Sequence, residues 1–472
     1  MREAWSCQVY KRCGGCQMDV EYPAQLHYKQ RLCTKLLGGF GTVERIVPAE
    51  DILHYRHKVN IAVGYSRGAI LTGVWQSSSG KLVSVANCAL EHPYAAIVSA
   101  AVRSLLPKFH IRSYDERSGH GFLRFMLLRV GRNTGEVLLM LGTGRETPPA
   151  LNAFLSALKK ECPFLTTIVR SVSTDRRNLV PGSEETVLYG AGSISDRLCG
   201  KLFRISAKSF FQVNPAQTEK LYRIAVDMAA LSGEETILDA YCGVGTMGII
   251  SADRAKKVIA FELNPDAAKN AAENVRLNGL NNVEIKCGDA GAIMHELSLS
   301  GSADVVFTDP PRAGCSREFL ISLCRLAPKT IVYVSCNPET QARDLHFFVN
   351  HGYQVKRIQP VDMFPWTRHV ETVCLLSKLS DAKHHVEVEL NLDEIDLTSA
   401  ESKATYDEIK AYVQEHADLN VSKLYIAQTK RKCGIIEREN YNLPKSEDSK
   451  QPQCPPEKEA AIKDALKRFG MI

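Results

Sequence analysis

Between about residue 205 and residue 380 the chain alternates short apolar runs with longer amphipathic stretches. The runs are ETILDAY (235–241), KVIAFE (257–262), VEIKCG (283–288), ADVVFTD (303–309), TIVYVSC (330–336), YQVKRIQPV (353–361) and ETVCLLSKL (371–379). Runs that stay apolar without strict alternation belong to strands covered on both faces. The first five are spaced widely enough for crossover helices, and the last two are joined by a short link. This pattern predicts an α/β domain with a doubly wound, mostly parallel, seven-stranded sheet and one antiparallel strand near its edge. Upstream, GFLRFMLLRVG and GEVLLMLGT suggest an α+β region, without saying what it touches. Downstream, SAESKATYDEIKAYVQEH reads as a capped helix with Tyr406, Ile409 and Val413 on one face, and VSKLYIAQTKRKCGIIERENY as a second helix. NLPKSEDSKQPQCPPEKEAA is a polar, proline-rich loop or linker before a last short helix.

The first predicted strand opens into Gly243-Val244-Gly245-Thr246-Met247-Gly248, and Glu262 closes the second strand. Glycines at such a turn let a ligand approach the backbone, and a carboxylate at that distance can accept two ribose hydroxyls. A nicotinamide cofactor and S-adenosyl-L-methionine both satisfy this, because both present an adenosine ribose. Three details favour the methyl donor. Asp239 stands four residues before Gly243, where a carboxylate can meet a positively charged methionine end. Asp289 follows the third strand and can take an adenine amino group. Asp309-Pro310-Pro311-Arg312 ends the fourth strand, and a rigid turn of that kind beside the cofactor has no role in hydride transfer.

Composition narrows the class. The 472 residues are 44% hydrophobic and 24% charged, the balance of a soluble globular protein. No stretch approaches the roughly 20 apolar residues of a membrane span, and the start has no apolar signal core, so no membrane partner and a cytoplasmic location are expected. A net charge of +6 gives no strong nucleic-acid signature for the whole chain. Fifteen cysteines are too sparse for a disulfide framework and odd in number. Cys7, Cys13 and Cys16 cluster around Gly14 and Gly15, a spacing that suits a four-cysteine site for zinc or an iron-sulfur cluster. Cys88 and Cys33 compete for the fourth position. Cys336 ends the fifth strand, where open α/β sheets place ligands; as a residue alone it reads as a small buried hydrophobe or as a nucleophile.

With LDAYCGVGT, FTDPPRAG, VSCNPET and FFQVNPAQ in one chain, residues 5 to 380 resemble the class I RNA uracil-5-methyltransferases, which make 5-methyluridine in transfer and ribosomal RNA. The front cysteines are similar to those of the subgroup that carries a 4Fe-4S cluster, and the resemblance implies Cys88 as the fourth ligand. It also implies that Cys336 adds to C6 of uracil, which gives C5 the carbanion character needed to attack a methyl sulfonium. Glu371 is then the base that removes the C5 proton. Gln212 belongs at cofactor and base, Tyr241 packs on the adenosine, and Asp309 lies between the two substrates. Phe210 and Phe211 are expected in the core rather than as a base platform.

The expected organisation is a cysteine-cluster module (1–95), a central α+β domain packed with it (96–204), the methyltransferase domain (205–380) and a helical extension (381–472). Large-subunit (23S) ribosomal RNA is the expected substrate, with transfer RNA as the alternative, and the chain is expected to be a monomer. A non-enzymatic nucleic-acid binder with a cofactor-sensing sheet would need neither Cys336 nor Glu371. The family often carries an RNA-binding barrel before the cysteines. Here six residues precede Cys7, so the extension, with Lys430, Arg431 and Lys432, is a candidate RNA contact. Trp366 departs from the family, where histidine is common.

Overall fold

A computed structural model describes residues 7–379 apart from 67, 77–78, 174–180 and 183, together with 406–433 apart from 418, and 454–468. The chain separates into two compact units, Met1–Ala382 and Lys383–Ile472.

In the first unit one seven-stranded sheet forms from β1 (Lys58–Ser66), β2 (Ala69–Trp75), β3 (Leu82–Ser84), β4 (Leu123–Val130), β5 (Val137–Thr143), β6 (Thr167–Val172) and β7 (Glu184–Tyr189), in the order β3-β2-β1-β4-β5-β6-β7. Strands from both sides of residue 95 therefore share one sheet. All its pairings are antiparallel except β5 with β6, which the helix Leu151–Glu161 connects in parallel. Alternation along β4 and β5 divides their side chains between two cores. Met126, Leu128, Leu139 and Leu141 pack with the helices Tyr94–Lys108 and Leu151–Glu161. Phe125, Leu127, Leu138 and Met140 pack on the hairpin β8 (Ser193–Leu198) and β9 (Lys201–Ser206), in the same core as the second sheet. That explains the continuous apolar reading of these strands and supplies the contact the sequence left open.

The second sheet comprises β10 (Thr236–Ala240), β11 (Lys257–Glu262), β12 (Val283–Cys287), β13 (Val305–Thr308), β14 (Thr330–Ser335), β15 (Tyr353–Val361) and β16 (Glu371–Lys378). Its order is β12-β11-β10-β13-β14-β16-β15. Pairings from β12 through β14 are parallel, and β16 is antiparallel to both of its neighbours. Because β16 runs backwards, its first residue lies at the carboxyl end of β14, with Ser335 opposite Thr372. Among the described residues no helix is long and apolar enough to cross a membrane.

The N-terminal helix Tyr22–Leu37 clamps the segment between β15 and β16. Lys29 donates to Asp362 at 2.5 Å with both side chains fully buried, and donates to the Phe364 carbonyl at 2.9 Å. Tyr22 donates to the same carboxylate. Losing one partner of such a buried pair costs about 3–5 kcal/mol, since the other charge is left without compensation.

In the second unit the helices Tyr406–Ala417, Lys423–Lys432 and Pro456–Arg468 enclose Ile409, Val413, Ile426, Ile462 and Leu466. Ile409 and Val413 thus share a buried face, whereas the Tyr406 and Arg431 side chains lie outside the described residues, as does most of the proline-rich loop. Lys430 is buried and Lys432 pairs with Glu459, so these two cations of the basic triplet are engaged within the unit.

Candidate active site

The carboxyl ends of β10, β11, β13 and β14 open onto a cleft of about 790 Å³. Around it stand Gln212, Tyr241, Gly243, Glu262, Asp289, Asp309, Cys336 and Glu371, residues up to 159 positions apart in sequence (371 − 212). A larger hollow of about 1560 Å³ lies on the first sheet, but it has no cysteine, and its acids Asp115 and Glu116 are engaged by Ser118 and Arg124.

After β10 the backbone turns through Tyr241, Gly243 and Gly245 at φ of 61°, 57° and 83°. This left-handed region is costly for Tyr241 and free for the glycines. Glu262 holds the turn, accepting from the Gly243 amide at 3.0 Å and from the Asn264 amide at 2.9 Å. Asp239, fully buried, accepts from the Gly248 amide through Oδ2 at 2.7 Å, while its Oδ1 has no partner among the described residues. A Cβ on Gly248 would lie 3.0 Å from that Oδ2, so glycine is needed for the approach. Asp289 is exposed and caps the helix Ala290–Ser300 through the Ala292 amide. The Tyr241 ring packs at 5.3 Å on Phe319.

The reactive end of the cleft is rich in buried acid. Burial pushes Asp239 and Asp309 up to about 7. It pushes Glu371, 3% exposed, up to about 8, with Asp309 adding to the effect and Arg312 opposing it. The Cys336 thiol, half-buried, is raised to about 11 by burial and then by the charges of Glu371 and Asp309, again opposed by Arg312. A cation entering this cleft would relieve every one of these penalties.

Three neighbours carried no site assignment in the sequence. Arg312 donates to the His369 ring at 3.0 Å at the cleft rim, and its DPPR motif was the available signal. Tyr222, buried on the helix Pro215–Met228, bonds with Thr246 and lies in the fields of Asp309, Asp239 and Glu371; nothing in its helical context announced it. The third is Phe210. Phe211 packs in the core as expected, but Phe210 is 62% exposed and lines the cleft, because the segment that carries the pair is neither helix nor strand and turns the two rings apart.

At the front, Cys13 ends the helix Tyr10–Cys13 and Gly14 turns the chain at φ 73°. Burial raises the Cys16 thiol to about 12; Cys88, Cys13 and Cys7 act on it in the same sense, against Arg56. Cys33 lies elsewhere, packed with Ile46 and Val370. Among the described residues no group of three or more His, Cys, Asp or Glu is drawn together closely enough to hold a metal ion. Cys16 and Cys88 pack with Tyr55, Leu90 and Trp366. Trp366 accepts from the Gln17 and Met18 amides, and its own amide donates to Gln25.

A profile of the tRNA (uracil-5-)-methyltransferase family matches residues 192–379. An RNA methyltransferase of Halalkalibacterium halodurans is 40% identical over 377 residues, 78% of this chain and 82% of that one. Another, from Clostridium acetobutylicum, is 37% identical over 382 residues, 79% of this chain and 83% of that one. The structure of Pyrococcus abyssi tRNA (uracil-54, C5)-methyltransferase in complex with S-adenosyl-L-homocysteine superposes with a TM-score of 0.65 at 31% identity, over 76% of this chain and 84% of that one. The chain belongs to this family and is an S-adenosyl-L-methionine-dependent RNA uracil-5-methyltransferase.

Proposed function

We propose that the enzyme methylates C5 of uridine in 23S ribosomal RNA through a covalent adduct with Cys336. The observation that carries the mechanism is the meeting of the Cys336 thiol and the buried Glu371 carboxyl in one cleft, the first just after β14 and the second opening β16, two adjacent strands of fixed register. The Cys336 thiol gives its proton to solvent, the resulting thiolate adds to C6 of the uracil, and the electron pair moves to C5 and O4 as an enolate. C5 then attacks the sulfonium methyl; the C–S bond to the methyl breaks, and S-adenosyl-L-homocysteine departs neutral at sulfur. Glu371 in its ionised form, which binding of the cationic methyl donor favours, takes the C5 proton, the C5–C6 double bond re-forms, and the thiolate leaves.

The cleft suits the methyl donor in its charge. Unpaired Asp239 Oδ1 and the raised acids Asp239 and Asp309 favour a cationic methionine end, Glu262 offers its remaining lone pairs to ribose hydroxyls, and Asp289 and Tyr241 border the adenosine. Near pH 7 these two buried acids are partly protonated, and Glu371 mostly so. Binding a cation stabilises their ionised forms, so S-adenosyl-L-methionine should release protons on binding, and the release should vanish at alkaline pH, where the acids are already ionised. Calorimetry in buffers of different ionisation enthalpy measures it. S-adenosyl-L-homocysteine, which lacks the sulfonium charge, should release fewer protons; equal release by both ligands would count against the assignment.

Cys7, Cys13, Cys16 and Cys88 fit a 4Fe-4S cluster in donor chemistry only: among the described residues they are not drawn together as a ligand set, but Cys7, Cys13 and Cys88 all raise the Cys16 thiol, and burial raises Cys16 and Cys88, whose thiolates a bound cation would stabilise. The cluster would serve as a structural pin, since no step of methyl transfer moves an electron to it. Protein purified without oxygen should be brown, and serine at any one of the four positions should remove iron and sulfide. Stoichiometric zinc without iron would refute the cluster.

The cysteine spacing supports ribosomal RNA, and the likeness to an archaeal tRNA enzyme supports the alternative. Mass mapping of 5-methyluridine after incubation with 23S fragments and with unmodified transfer RNA decides between them. Methylation confined to transfer RNA would overturn the ribosomal reading.

A further inference from the structure

Arg129 on β4 is 3% exposed, yet no carboxylate among the described residues pairs with it. Among the described residues its guanidinium donates only to backbone carbonyls, to Ala207 at 3.4 Å and to Ser209. Both carbonyls belong to the strap of residues 207–214, which leaves β9 and enters the helix Pro215–Met228. A buried cation without a counter-ion is expensive, and an apolar side chain of similar size would fill the space more cheaply. Lys58, next to it on β1, is lowered to about 8 by burial and then by Arg129, so the arrangement is costly twice over.

The strap needs such a restraint. It carries Phe210 and Gln212 into the cleft that contains Cys336 and Glu371, and it belongs to no helix or sheet ladder. It is gripped from both sides. The His57 amide, next to Lys58 on the first sheet, donates to the Val213 carbonyl at 2.8 Å. From the methyltransferase side, Asn270 donates to Ser209 Oγ at 2.8 Å. Arg129 is the grip that costs most, and it reaches Ala207 and Ser209, the second of them immediately before Phe210.

We infer that Arg129 is a positioning residue for methyl transfer, a latch from the first sheet that fixes the strap so that Gln212 and Phe210 face the cleft. The inference rests on the reading that this cleft is catalytic. The latch makes the geometry of the cleft depend on a sheet that contributes none of the groups that move protons or electrons.

The test compares Arg129→Met, which keeps volume and loses the hydrogen bonds, with Arg129→Lys, which keeps the charge and can reach one carbonyl. Displacement of a positioning group by about 1 Å can cost about 100-fold, so kcat/KM for RNA should fall by about that factor in the Met variant, chiefly through KM, and by an intermediate factor in the Lys variant. Amide hydrogen exchange at residues 207–213 and tryptic cleavage after Lys208 should accelerate selectively. Wild-type kcat/KM in the Met variant overturns the latch. So does a loss of activity in proportion to a uniform loss of Tm, without selective exchange in the strap. If the Met variant does not fold, the Lys variant decides by the same two readouts, and unchanged exchange with unchanged kcat/KM overturns the proposal. Gln212→Ala and Cys336→Ala separate this from the reading beneath it. A loosened strap with impaired Arg129 variants and a fully active Gln212→Ala leaves the latch standing and removes Gln212, while an active Cys336→Ala removes the catalytic reading of the cleft.

Discussion

Cys336→Ala should abolish methyl transfer, with a loss on the order of 10⁴-fold or more, while S-adenosyl-L-methionine still binds with nearly the affinity of the wild type. The thiol is half-buried at the end of β14 and lines the cleft without serving the cofactor turn, which is held by Glu262 and Asp239 instead. Without a thiolate at C6, uracil C5 remains too weak a nucleophile, and no other cysteine lining the cleft stands beside Glu371: Cys242 is buried beneath the glycine turn. RNA containing 5-fluorouridine should trap the wild-type protein as a covalent species resistant to denaturant and leave the alanine variant free. Turnover in the variant within 100-fold of wild type would remove the nucleophile, as would the absence of any trapped species with wild type.

Glu371→Gln should separate the two halves of the reaction. Amide and carboxyl are nearly isosteric, so addition of Cys336 and methyl transfer proceed, but the C5 proton has no acceptor and the adduct accumulates. Turnover should fall by about 10²–10⁴-fold, the usual worth of a positioned base. The substitution also removes the charge that, after burial, does most to raise the Cys336 thiol, so alkylation of Cys336 by iodoacetamide should become faster above about pH 8, where Glu371 is ionised in the wild type. Stability follows with a definite sign. The Glu371 carboxyl is raised from 4.5 to about 8 on folding, so its protonated form favours the folded state fully below the lower value, and that contribution is lost as pH rises through the upper one. The Tm of the Gln variant should therefore gain on the ligand-free wild type as pH increases across that window. A fast-releasing Glu371→Gln enzyme would assign the base elsewhere.

The second sheet was legible because its strands are buried on both faces, and a continuous apolar run bounded by turn residues has few other readings. The antiparallel β16 was legible from the short link after β15. Motifs at the strand ends could be placed in one cleft for the same reason, since parallel strands bring their carboxyl ends together. What stayed hidden depends on partners distant in sequence. Lys29 and Asp362 meet across 333 positions, and nothing about either residue announces the other. Arg129 sits in GFLRFMLLRVG as one of two arginines among apolar residues, and its partners are main-chain carbonyls, which leave no trace in a sequence. Phe210 and Phe211 could not be told apart, because outside regular structure there is no period to divide faces. Lys430 and Lys432 read as free basic charge until tertiary packing buried one and gave the other Glu459.

The register of β14 against β16 has a consequence for the nucleic acid. Ser335 and Thr372 are held opposite each other by a sheet ladder, so Cys336, the residue after β14, and Glu371, the first of β16, are anchored one residue from a fixed pair and form a gauge of narrow adjustment. A uracil stacked within a helix cannot be threaded between two groups anchored at the ends of paired strands. The movement therefore falls to the RNA: the target nucleotide must swing out of its stack, and uridines in loops or weakly paired segments, which swing most cheaply, are the ones this gauge will admit.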